Sequence, residues 1–145
     1  MNDAAYRVES LERESFLPYG RVLTSETEGF AAVLEQPEAN GWLAGINNVT
    51  QTVLTELHFH TNTWECFAPL EGSLLIAVAP PRNQTDGLEK SVRFFSLSAP
   101  VAVAPNVPHC LLVSSTSGPG KAFVSESANV TGARLPLSHA IAPTA

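Results

Sequence analysis

Three histidines and one glutamate carry the chemistry of this chain: His58, His60, Glu65 and His109. The first three fall in the pattern His58-x-His60-x4-Glu65-x6-Gly72, and the last follows a proline-rich turn ending in Pro108. Successive residues on a strand point to opposite faces, so His58 and His60 emerge side by side on one face. A short turn later Glu65 can return to that face from the next strand. Two imidazoles, a carboxylate and a third imidazole from a distant strand suit a divalent first-row metal with positions left open. Iron, manganese, nickel and zinc all fit this donor set.

A lone His-x-His pair is often two polar residues on a solvated strand face, and a polar pocket without metal is the competing interpretation. The surroundings favour the metal. Three of the four histidines lie in these two segments, whose flanks (Val53-Leu54, Phe67-Ala68, Val101-Ala102-Val103, Leu111-Leu112-Val113) are apolar. The fourth, His139, sits in the C-terminal stretch and is expected to be a solvated residue.

The elements that must position these ligands are short strands. Eleven prolines and nine glycines cut the chain into strand-length pieces. Strands rich in β-branched and apolar residues are expected at 20–23, 31–36, 42–47, 52–60, 65–69, 73–79, 92–97, 101–103, 110–114 and 121–125. Turn chemistry separates them, at Asn40-Gly41, Glu71-Gly72, Asp86-Gly87 and Ser117-Gly118-Pro119-Gly120. Only 10–16 has helical content, opened by Ser10 as a candidate cap. The 80–89 loop reads as polar and exposed, and the tail after Thr131 as aperiodic and partly disordered. The pattern predicts one all-β domain over 1–145, a sandwich or barrel.

Composition narrows the function. With 44% hydrophobic and 15% charged residues the chain suits a compact fold with part of its surface covered by a partner subunit. A formal charge of −6 without any Lys/Arg cluster argues against nucleic acid and anionic membranes as partners. No apolar run is long enough to span a bilayer, and the polar N-terminus does not read as a secretory signal, so a cytoplasmic location is expected. Cys66 and Cys110 each follow a proposed ligand, on the opposite strand face, and read as small buried hydrophobes.

The His58/His60/Glu65/Gly72 spacing resembles the first motif of the cupin superfamily. The stretch Ala104-Pro105-Asn106-Val107-Pro108-His109 resembles a variant of its second motif, Pro-x-Gly-x-x-His, with Ala104 in place of the proline and Asn106 in place of the glycine. Asn tolerates the left-handed conformation that a turn glycine serves. The resemblance implies a jelly-roll barrel with one divalent transition metal inside it, held by His58, His60, Glu65 and His109.

A narrower likeness covers nearly the whole chain. The stretch from Leu11 to Val22, with Tyr19-Gly20 at its turn, is similar to the opening of the ureidoglycolate lyase family, and Ile46-Asn47, Phe67 to Gly72 and Asn106-Val107-x-His109 fall in matching register. That family implies a cupin-like barrel, usually dimeric, releasing urea and glyoxylate from ureidoglycolate. The chain departs from it in having Glu65 where glutamine is common, Glu71 where lysine is common, and an additional His58. The reversed charge at Glu71 implies a different substrate.

The chemistry expected is Lewis-acid-assisted lyase or isomerase chemistry on a small polar carboxylate-bearing substrate. Three imidazoles and one carboxylate leave a divalent site with about +1 charge. Glu56 shares the parity of His58 and His60 and is a candidate catalytic base, alongside Glu65; the alternative for Glu56 is a partner that orients a histidine. Tyr19, Arg21 and Glu71 are candidate substrate contacts. An iron-dependent dioxygenase and a non-catalytic metal- or ligand-binding cupin are the alternatives, and a homodimer is expected.

Overall fold

A computed structural model describes residues 6–23, 41–82 and 84–144. The strand expected at 31–36 lies outside them. Among the described residues, eleven strands and two short helices follow in the order β1 (Val8–Glu9), α1 (Arg13–Phe16), β2 (Gly20–Val22), β3 (Trp42–Val49), β4 (Leu54–His60), β5 (Glu65–Glu71), β6 (Leu74–Val78), α2 (Leu88–Ser91), β7 (Arg93–Ser96), β8 (Val101–Val103), β9 (His109–Val113), β10 (Gly120–Ser127) and β11 (Gly132–Ile141).

Two sheets form, in the orders β1-β7-β6-β9-β4-β11 and β2-β8-β5-β10-β3. All pairings are antiparallel except β1 with β7. Strands far apart in sequence are neighbours in space, the jelly-roll arrangement expected from many short strands.

Alternation along the strands divides the apolar residues between two cores. Phe67, Val101, Val103 and Ala122 of the five-stranded sheet meet Ile76, Val78, Phe95 and Val113 of the six-stranded sheet in one cluster. The odd-and-even partners Leu75, Ala77, Phe94 and Leu112 point the other way, into a second cluster with Leu57, Phe59, Leu88 and Leu135. The six-stranded sheet is therefore covered on both faces, which explains why β6 is an unbroken apolar run, buried at every position.

Three expectations are corrected. The tail after Thr131 is strand β11, paired with β4; Leu135 and Ile141 fill the second core while Pro136 is tolerated because β11 is an edge strand. The 80–89 loop is not wholly exposed: Leu88 opens α2 after Gly87, whose φ is +66°, and is fully buried. The N-terminal helix is a single turn capped by Glu12 rather than Ser10, without a side-chain cap bond.

Two motif positions do what their residue types allow. Asn106 has φ +67°, the one non-glycine with positive φ among the described residues, and its N–H donates to the His60 carbonyl at 2.7 Å. Gly72 has φ +81°, and a Cβ there would stand 2.8 Å from the Gly120 Cα. The first fastens the turn before β9 onto β4; the second lets the β5–β6 turn pack against the start of β10.

Candidate metal centre

Regular alternation on β4 buries Leu57 and Phe59 on one face and leaves Glu56, His58 and His60 half-buried on the other. β5 begins with Glu65, and β9 with His109. His58 and His109 are Cα partners, so the β4–β9 pairing brings the two motifs onto one face.

His60, Glu65 and His109 converge, with their ligand atoms all within 4.8 Å of one another. His109 Nε2 lies 2.6 Å and His60 Nε2 3.2 Å from the same carboxylate oxygen, Glu65 Oε1. Glu65 and His109 are buried. The His109 Nδ1–H donates to the Val107 carbonyl at 2.9 Å, which turns Nε2 towards the cluster, and the Phe67 ring packs 5.5 Å from the imidazole. Locking one ring nitrogen so that the other is presented is how ligating histidines are held.

The electrostatics are those of a preformed ligand set. Burial alone would raise the Glu65 carboxyl, but hydrogen bonds from His109 and His60 outweigh it and bring it down to about 2. The Glu65 bond in turn raises His60, against the opposing effect of burial. A divalent ion bound at 2.0–2.2 Å keeps its ligand atoms roughly 3–4 Å apart, so two imidazole nitrogens and an ionised carboxylate already within 4.8 Å fit such an ion.

His58 stands apart from this cluster. It lines the same cavity, of about 640 Å³, but its Nε2 is 3.2 Å from Glu56 Oε1. Glu56 also lies 3.6 Å from Arg134 and is not among the cavity-lining residues. Glu56 is thus partnered by a histidine and an arginine, outside the cavity lining.

The candidate substrate contacts are elsewhere. Tyr19 is buried in the core against Phe16 and Phe95, because its ring completes the first cluster. Arg21 is exposed on β2, its guanidinium 6.0 Å over the Trp64 ring. Glu71 is exposed at the end of β5, 4.0 Å from Lys121. None of the three lines the cavity. His139 is exposed on β11, away from the cluster, as expected for a non-ligand. Cys66 and Cys110 are free and partly buried. Burial pushes both thiols up, Cys110 to about 11.

One site residue was missed. Glu126 on β10 lines the cavity, and its Oε2 lies 3.3 Å from His60 Nε2. Burial and the neighbouring Glu65 charge raise its carboxyl. The strand expected at 121–125 stops one residue short of it. The two-residue period that turns Ala122 and Val124 inward would have carried Glu126 inward too.

No family model matches the sequence, and neither does the sequence of any curated protein. Solved structures with a similar course of the chain include a cupin 2 domain-containing protein from Halorhodospira halophila, at 17% identity over 97% of this chain and 77% of that one, with a TM-score of 0.45. A dTDP sugar isomerase from Desulfovibrio desulfuricans is 13% identical over 86% of this chain and 68% of the other, at a TM-score of 0.43. Oxalate decarboxylase from Bacillus subtilis, with Mn(II) centres, is 16% identical over 90% of this chain but only 30% of its own, at a TM-score of 0.44. No helix among the described residues is long and apolar enough to cross a membrane.

Proposed function

We propose that this chain is a cupin-type metal protein that holds one divalent transition metal on His60, Glu65 and His109, with His58 as a fourth ligand. We propose further that it is an enzyme of lyase or isomerase type acting on a small polar molecule. The observation that carries the reading is the convergence of His60, Glu65 and His109 in the lining of one cavity. When bound, the metal supplies Lewis-acid polarisation of a substrate oxygen.

The chain's own residues do the rest. Val107 and Phe67 fix the His109 ring, and Glu65 keeps its charge against burial. His58, on the same strand face as His60 and opposite His109, would have to give up its bond to Glu56 to serve as a ligand. Glu56 competes with the metal for His58.

Elemental analysis of the purified protein, combined with a turnover screen of small hydroxy, keto and amide compounds, tests this. Zinc-loaded protein that turns over a substrate without oxygen uptake supports Lewis-acid chemistry. Strict dependence on both iron and oxygen would replace it with the dioxygenase reading.

A further inference from the structure

We infer that the cavity selects neutral polar ligands, of the amide or polyol kind, and discriminates against anions; this rests on the metal-site reading above. It replaces the carboxylate-bearing substrate expected from the sequence.

All eight Lys and Arg residues of the chain fall among the described residues, and none lines the cavity. Arg93 bonds the Glu9 carboxylate and reaches the Tyr19 hydroxyl. Lys121 pairs with Glu71, Arg82 donates to the Asp86 carbonyl, and Arg21 stands over Trp64. Arg134 is the β11 register partner of His58, but it is exposed and its charge is offset by Glu56.

The cavity itself carries the opposite sign. Glu65 and Glu126 are register partners on β5 and β10, and both side chains face it. Glu126 Oε2 is shielded from solvent and makes no hydrogen bond of good geometry, although His60 lies beside it. A substrate anion in this cavity would meet two carboxyl groups and no cationic side chain. A carboxylate entering beside Glu126 would be desolvated next to a like charge, which is costly.

The rest of the lining offers what a neutral ligand needs. Asn47, which shares the inward parity of Ala122, lines it with Thr50 and Gln51, residues whose carboxamide and hydroxyl groups both donate and accept. Anion sites are instead built from guanidinium or ammonium groups, and here there is none.

Glycolamide and glycolate are near-isosteric and differ in charge, so they separate the two cases. Manganese-loaded protein broadens the proton lines of any ligand that reaches the site, which reads binding without turnover. The expected result is glycolamide binding at least about tenfold more tightly than glycolate, a difference of about 1.4 kcal/mol. Glu126→Gln should bring the ratio towards one, with the fold checked by circular dichroism. Equal or tighter binding of glycolate to the wild type overturns the inference, as does an unchanged ratio in a folded Glu126→Gln protein. Manganese retained with the preference reversed counts against this inference alone; failure to retain any manganese overturns the metal-site reading and this inference with it.

Discussion

His58 and His109 are register partners across β4 and β9, yet their rings bond different carboxylates, Glu56 and Glu65 respectively. The backbone has placed both histidines on one face, and His58 differs in being held by Glu56.

That difference gives the first prediction. His58 must give up Glu56 to reach the metal, so its net contribution is smaller than that of His109, which is held ready. His58→Ala should weaken zinc binding by about tenfold, about 1.4 kcal/mol, whereas His109→Ala should abolish it. Glu56→Ala removes the competitor and should strengthen binding. Calorimetric titration of the three variants checks this, and equal losses from His58→Ala and His109→Ala would show the two histidines to be equivalent.

The pH dependence of the chelator-stripped protein follows from the cluster. Glu65 is lowered from 4.5 to about 2, so its stabilisation is present above pH 4.5 and lost as pH falls towards 2. His60 is raised above 6.5, so its contribution is full below pH 6.5 and lost as pH rises through its elevated value. Stability should therefore be greatest between these limits. Metal reverses the upper limb, because ligation needs His60 deprotonated and affinity climbs with pH. Thermal unfolding of the stripped protein and of His60→Gln checks it; an identical decline above pH 6.5 in both would remove His60 from the account.

Asn106 tests the turn that delivers His109. Its φ of +67° and its bond to the His60 carbonyl require a residue tolerant of the left-handed region. Asn106→Gly should be nearly neutral, while Asn106→Val should cost about 2 kcal/mol and lower metal affinity. Denaturant titration decides, and a valine variant as stable as the wild type would mean the turn is not constrained.

Much of this was legible in the sequence, for identifiable reasons. β6 reads as a buried strand because both of its faces are covered, and the two motifs read as neighbours because parity fixes which side chains share a face. Asn106 at a glycine position was interpretable from its backbone tolerance alone. What escaped depends on tertiary pairing. β11 looks like a tail because its partner β4 supplies the order and Pro136 interrupts the pattern. Glu126 lies one residue past an expected strand end. Tyr19 and Glu71 were read through a family likeness that the cavity does not support, since one is core and the other solvent-facing.

A homodimer remains our expectation. Ile46 and Phe123 are register partners on the five-stranded sheet, directed away from the inter-sheet core that holds Ala122, and they are 54% and 37% exposed. Covering such a pair with a second copy is favourable. Light scattering should give twice 15.4 kDa, and Phe123→Glu should shift it towards monomer. A wild-type monomer at micromolar concentration would contradict it.

The central claim is that His60, Glu65 and His109 hold a metal, and elemental analysis tests it most directly. Protein equilibrated with manganese, iron, nickel or zinc and then desalted should retain one ion per chain. Glu65→Gln and His109→Ala should lose it, while His139→Ala keeps it in full. Full occupancy in the folded His109→Ala protein, or no metal retained by the wild type, would contradict the account.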